Sequence, residues 1–165
     1  MPVPSAPDLP LTLRRGEPRD AATIAGFNRA MALETEGRAL QVERSLAGAQ
    51  RLLREPALGF YVVAEHAGDV VGSLMVTFEW SDWRDGHFWW IQSVYVRPDA
   101  RRQGVFRALY REVAALVERD PGVCGLRLYV ESSNARAQVT YASLGMDRTH
   151  YLVYEQERPG ADFFA

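Results

Sequence analysis

The stretch Gln92-Ser93-Val94-Tyr95-Val96-Arg97-Pro98-Asp99-Ala100-Arg101-Arg102-Gln103-Gly104-Val105-Phe106-Arg107 decides how this 165-residue chain is read. Val94, Tyr95 and Val96 favour a strand. An arginine-rich turn containing Gly104 follows, and then Val105, Leu109, Val113 and Leu116 recur at helical spacing. A strand therefore feeds a short basic turn that opens directly into a helix. The first amides of a helix have no partner within it and sit at the positive end of its macrodipole. Such a turn takes a pyrophosphate, and flanking arginines add charge-assisted hydrogen bonds. On this segment alone, a capped surface helix with solvated arginines is the competing reading.

Upstream, alternation sets Phe60, Val62 and Ala64 against Tyr61, Val63 and Glu65, with a turn at Ala67-Gly68-Asp69. Leu74, Val76, Phe78 and Trp80 continue the pattern on a return strand, with a bulge expected at Gly72. Residues 81–86 lead to a strand over Phe88–Val96, which makes an antiparallel meander. Earlier come a strand at Leu11–Arg14, a helix opening at Pro18 and carrying Ile24, Phe27 and Met31, and a helix through Leu46, Ala49 and Leu53 that Pro56 ends. Downstream, Asp120-Pro121-Gly122 stops the helix after the basic turn. A strand at Leu126–Val130 follows, then a helix from near Ser133 to Gly145, then a last strand at Tyr151–Glu155. One helix joins the strands ending at Val96 and starting at Leu126, so these two are expected to be parallel neighbours. The order βααβββαβαβ predicts an α+β domain with a mixed sheet. Residues 1–10 hold four of the nine prolines and read as a flexible tail; 11–157 read as one domain and 158–165 as a C-terminal tail.

Composition removes several chemistries. All 19 basic side chains are arginine, which excludes a Schiff-base lysine and the phosphate-loop lysine of nucleotide hydrolases. Phosphates must then be held by arginine forks and backbone amides. Cys124 is the lone cysteine, and His66, His87 and His150 lie far apart, so no multi-cysteine or histidine-rich metal centre is expected; spacing alone leaves mixed carboxylate sites open, and no metal is assigned. A net charge of −2 gives no field toward nucleic acid, and no apolar run is long enough to span a bilayer. With no secretory signal visible, a cytoplasmic location is expected.

A second strand-to-helix segment, Leu126-Arg127-Leu128-Tyr129-Val130-Glu131-Ser132-Ser133-Asn134, leads into a helix whose Asn134, Ala137, Tyr141 and Leu144 share one face. Together the two segments resemble the GNAT N-acetyltransferase superfamily, and the element order is similar from Leu11 to Glu155. Arg101, Gly104 and Phe106 stand at the three defined positions of that family's Q/R-x-x-G-x-G/A acyl-CoA signature. Phe106 departs from it, because the family prefers a small residue there. Asn134, Ala137, Tyr141 and Leu144-Gly145-Met146 resemble its N-x-x-A-x-x-x-Y-x-x-L-G-F/M block.

The resemblance implies a GNAT-like fold with an acyl-CoA cleft between two splayed parallel strands, and acetyl transfer from acetyl-CoA to a primary amine by direct attack on the thioester. It implies that backbone groups of Val94, Tyr95 and Val96 pair with the pantetheine arm. Amides of Arg102, Gln103, Gly104, Val105, Phe106 and Arg107, beside Arg101, would hold the pyrophosphate, and an amide near Val94 would face the oxyanion. Asn134 would bind the pantetheine region, and Tyr141 would protonate the departing thiolate. Family members often carry Glu or His on the strand entering the cleft. Here Phe88–Val96 offers Trp90 and Gln92 instead, so Glu79 and Glu131 are the candidates for a water-mediated base.

All four tryptophans lie between residues 80 and 90, interleaved with Glu79, Asp82 and Asp85. Aromatic faces beside carboxylates favour a cationic ligand. Trp80, Asp82, Trp90 and Gln92 are therefore candidate substrate residues, and the resemblance adds Glu34, because in that family the helix-to-helix connection often borders the acceptor site. A tryptophan-rich hairpin that packs on the sheet, with a homodimer contact as one version, is the structural alternative. A non-catalytic acyl-CoA-binding or sensing module is the competing function, kept open by Phe106 and the missing strand base. No nucleic-acid or membrane partner is expected.

Overall fold

The alternating residues between Phe60 and Val96 form three long antiparallel strands in the computed structural model, which describes residues 9–165. Strand β1 (Thr12–Arg15) precedes helices α1 (Ala21–Glu36) and α2 (Val42–Arg54), then β2 (Gly59–His66), β3 (Asp69–Ser81) and β4 (Gly86–Val96). Helix α3 (Val105–Arg119), β5 (Val123–Arg127) and α4 (Ala135–Ser143) follow. The sheet order is β1-β2-β3-β4-β5. Only β4–β5 is parallel, because α3 carries the chain back before β5 begins. This is the α+β architecture with a mixed sheet that the sequence predicts. Residues 9–127 with Phe163–Ala165 form one compact unit, and Leu128–Asp162 form a second.

In the first unit, strand alternation sorts side chains onto two faces. Tyr61 and Val63 pack with Ile24, Ala25, Ala49 and Leu52 of α1 and α2. Val62, Leu74 and Val76 lie on the opposite face, toward α3, whose Leu109 and Val113 are fully buried. Gly72 lets α3 come close: a Cβ there would meet Val105 Cγ1 at 3.0 Å and the Tyr95 carbonyl at 3.1 Å. The bulge expected at Gly72 falls on its neighbour, since the register steps from Ala64↔Gly72 to Glu65↔Val70 and leaves Val71 as the extra residue.

One charged cluster ties the start of α1 to the sheet. Arg14 donates to Asp20 at 2.7 and 2.9 Å and to Glu65 at 2.6 Å, while the Glu17 amide donates to Asp20 at 2.7 Å. Burial alone would push the Asp20 carboxyl up. The Arg14 bonds and the Glu17 amide outweigh it and hold the group below the ordinary carboxylate value.

Three boundaries differ from expectation. Strand β5 starts at Val123 because the turn is tight: Val123 N–H bonds the Asp120 carbonyl at 3.1 Å, and His87 N–H takes the Gly122 carbonyl at 2.8 Å. The expected strand at Tyr151–Glu155 does not form. The second unit contains no other strand among its described residues, and Tyr151, Leu152, Val153 and Tyr154 stay exposed. A β pattern without a partner edge is not a strand. The expected C-terminal tail is drawn back at its end, where Phe164 bridges Leu40 and Ala165 N–H bonds the Ala39 carbonyl at 2.8 Å. Residues 1–8 of the expected N-terminal tail lie outside the described residues. No helix among the described residues is long and apolar enough to cross a membrane.

Leu109→Ala should cost about 2–5 kcal/mol in urea unfolding, the usual loss for emptying a fully buried leucine site. Asp20 generates a pH test. Its folded pKa is lowered, so the unfolded chain takes up the proton first as pH falls. Its contribution is complete above the unfolded value of about 3.9 and vanishes below the folded one. The stability difference between wild type and Asp20→Asn should therefore shrink from about pH 5 to about pH 2, measured by urea unfolding across that range. A constant difference would assign the acid sensitivity elsewhere.

Candidate functional site

Pairing between β4 and β5 stops at Trp90↔Arg127, whereas pairing between β4 and β3 continues to Val96↔Gly72. Among the described residues of the first unit, residues 91–96 thus have a strand partner on one side only. The register shifts in the middle of this segment, from Met75↔Gln92 to Ser73↔Tyr95, so Ser93 and Val94 together oppose Leu74. Ser93 has φ 49°, which few non-glycine residues adopt. This bulge puts Gln92 and Tyr95, three residues apart, on the same face, toward α1. Arg97 N–H bonds the Val71 carbonyl on β3 at 2.8 Å. By alternation, Val96 and Val94 turn their backbone groups to the open side. The Val96 carbonyl there accepts Arg101 Nε at 2.8 Å.

The open edge runs straight into the basic turn. Arg97 grips Asp99 at 2.6 and 2.9 Å, and Gln103 Nε2 bonds the Asp99 carbonyl at 2.8 Å, which braces the loop. Gly104, at φ 81°, caps α3 without any side-chain cap. The first helical bond runs from Ala108 N–H to the Gly104 carbonyl at 2.9 Å, so the amides of Val105, Phe106 and Arg107 stand outside the ladder at the positive helix end. Phe106 is half-buried, with its ring 6.3 Å from that of Tyr110 one turn on.

Arg101, Tyr95 and Glu34 come together at this edge. Arg101 Nη2 donates to both Glu34 oxygens at 3.0 and 2.9 Å, and Tyr95 Oη donates to Glu34 at 3.2 Å. The Arg101 guanidinium also lies 5.4 Å from the centre of the Tyr95 ring, which packs on Phe27 at 5.0 Å. Burial, then the charge and hydrogen bond of Glu34, push the Tyr95 phenol up against the opposing pull of Arg101.

The sheet divides the remaining substrate candidates. Trp90 and Gln92 lie on the face toward α1, where Gln92 Nε2 donates to Thr77 Oγ1 at 2.7 Å. Trp80 points to the other face, its ring 5.0 Å from His87, because it is one step out of phase with Thr77 and Glu79. Asp82 sits in the hairpin turn and bonds the Trp83 amide at 2.9 Å. A single pocket built from all four tryptophans is thus ruled out by strand parity. Glu79 shares the face of Trp90 and is ion-paired with Arg127, whose guanidinium stacks 3.6 Å from the centre of Phe88. Arg127 and Thr77 escaped the sequence reading. Their partners are 48 and 15 residues away, and only the strand register brings them together.

In the second unit, Asn134 caps α4, its side-chain oxygen accepting Ala137 N–H at 3.0 Å. Ala137, Tyr141 and Leu144 form the more covered side of the helix, whereas Val139 is 71% exposed. Burial pushes the Tyr141 phenol up, which keeps its proton on across the neutral range. Gly145, at φ 86°, ends the helix, and Met146 N–H returns to the Tyr141 carbonyl at 3.1 Å. Glu131 is exposed, and its carbonyl accepts Asn134 N–H at 2.9 Å. Among the described residues, no group of His, Cys, Asp and Glu is placed to hold a metal ion.

Comparison with known proteins agrees with this geometry. The model of the acetyltransferase (GNAT) family matches residues 27–146. The crystal structure of a possible acetyltransferase from Clostridium difficile 630 superposes with a TM-score of 0.84 at 41% identity, covering 90% of this chain and 97% of that one. AAC(6')-Iy in complex with the bisubstrate analog CoA-S-monomethyl-acetylneamine shares the fold, with a TM-score of 0.74 at 15% identity over 90% of this chain and 99% of that one. Bovine thialysine N-epsilon-acetyltransferase (Bos taurus) is 37% identical over 76 residues, 46% of this chain. The match spans 44% of the length of that relative. The chain belongs to the acetyltransferase (GNAT) family.

Proposed function

We propose that the protein transfers an acetyl group from acetyl-CoA to a primary amine by direct attack of the amine on the thioester. The observation that carries this reading is the continuous polar track of the bulged, unpaired edge of β4 and the uncapped N-terminus of α3. An extended amide-bearing arm ending in a pyrophosphate needs that pair of features, strand-like pairing followed by clustered amides at a helix start. The activity of the bovine protein, a thialysine N-epsilon-acetyltransferase, and of a structural neighbour, the aminoglycoside N-acetyltransferase AAC(6')-Iy in complex with a CoA-linked bisubstrate analog, supports an amine acceptor.

Acetyl-CoA supplies an already activated acyl group. The protein's work is to align the amine, hold the developing oxyanion and protonate the thiolate. Backbone groups of Val94 and Val96 hold the arm, and the amides from Arg102 to Arg107 hold the phosphates. An amide at the Ser93–Val94 bulge faces the oxyanion, and the family motif that Asn134 and Tyr141 match assigns Asn134 to the pantetheine region and Tyr141 the role of acid. An alkylammonium of pKa about 10.4 is neutral in roughly one part in 10³ at pH 7, a cost of about 4–5 kcal/mol. Glu79, on the same face as Trp90 and Gln92, is the candidate to take that proton through water, with Glu131 second. The site asks for no metal.

Isothermal titration with acetyl-CoA, followed by thiol release across a panel of primary amines, tests the proposal. Binding without turnover on any amine would favour an acyl-CoA-binding module. Gly104→Asp should weaken CoA about ten-fold or more, because it sets a carboxylate against the phosphates and forces a side chain into a left-handed backbone. Tyr141→Phe should lower turnover about 10²-fold with little change in CoA affinity; unchanged turnover would remove Tyr141 from the chemistry.

A further inference from the structure

Glu34 stands in the last turn of α1, at the negative end of the helix macrodipole, with no basic residue in that turn to offset it. Arg101, reaching across from the cofactor turn, supplies the compensating charge through both carboxylate oxygens. The pair is half in solvent, with side-chain exposures of 41% for Arg101 and 45% for Glu34. Exposed ion pairs of this kind hold weakly. Two further bonds survive if they part: Arg101 Nε stays on the Val96 carbonyl, and Tyr95 Oη stays on Glu34. Each partner is therefore anchored independently of the other.

We propose that Glu34–Arg101 is an exchangeable ion pair that couples the two substrates: the CoA phosphates draw the Arg101 guanidinium away, and Glu34 is left as the counter-ion for the acceptor ammonium. Arg101 lies three residues before the helix-capping Gly104, on the turn that faces the phosphates. Tyr95 holds the bared carboxylate on the face that also carries Trp90 and Gln92. Without CoA, the carboxylate is spoken for and an amine finds no free anion there. The coupling follows from one guanidinium having two competing partners.

The inference rests on the acetyl-CoA reading, and titration of CoA into four full-length proteins separates the two. In wild type, CoA must displace Glu34, so Glu34→Gln should tighten CoA about two- to five-fold, the factor that matches a weak exposed pair. Arg101→Gln should weaken CoA about ten-fold or more. In the double variant the Glu34→Gln gain should disappear, since no guanidinium remains to compete for. Glu34→Gln should also raise the KM of the amine that turns over while improving CoA affinity, a split that loosened packing would not produce. Thermal unfolding of each variant establishes that it is folded. If Glu34→Gln does not fold, Glu34→Asp, which shortens the reach to Arg101, should tighten CoA in the same direction. CoA affinity that is unchanged or weaker in the Glu34 variant, or a gain that persists without Arg101, would overturn the exchange and leave the acetyltransferase reading standing. Failure of wild type to bind CoA would overturn both.

Discussion

The parallel ladder between β4 and β5 ends at Trp90 and Arg127, and what the sheet can do depends on that stop. Had it continued, the backbone of residues 91–96 would be satisfied on both sides and the sheet would be a closed scaffold. Because it stops, a strand with a left-handed kink at Ser93 offers outward-turned peptide groups that lead into the amides at the start of α3. The rest of the first unit keeps that strand rigid. β3 pairs with its other edge, α3 packs over Gly72, and Phe27 supports Tyr95.

Arginine alone carries the positive charge in this chain, and the structure uses what separates it from lysine. Arg14 reaches two carboxylates at once, Arg101 holds a carbonyl and a carboxylate with different nitrogens, and Arg127 stacks on an aromatic ring while pairing with Glu79. A planar fork offers five donors in a fixed geometry for such bridging, where an ammonium offers three on a flexible stem. The absence of lysine, first a filter on chemistry, is thus also a statement about how strands and loops are cross-linked.

Much of this was legible before the structure. Alternation from Phe60 to Val96, the helical stripe through Leu109 and Val113, and the glycine ahead of Val105 are local signals, and they place β2, β3, β4, the basic turn and α3. Long-range register was not legible. Trp80 and Trp90 looked like one aromatic cluster because they are close in sequence, yet odd and even steps along paired strands put them on opposite faces. The bulge at Ser93 carries no glycine to announce it. Tyr151–Glu155 misled in the other direction, having the composition of a strand and no edge in its own unit to complete it.

An unpaired strand edge is also a hazard, since it can template pairing with a foreign chain. Natural sheets defend such edges with charge, with bulges or by covering them. Arg101 covers the end of this segment: its Nε occupies the Val96 carbonyl, and Glu34 balances its charge. An edge held this way can be paired only by a partner that first takes the Val96 carbonyl from Arg101, so the bond that fixes the loop also resists chance association.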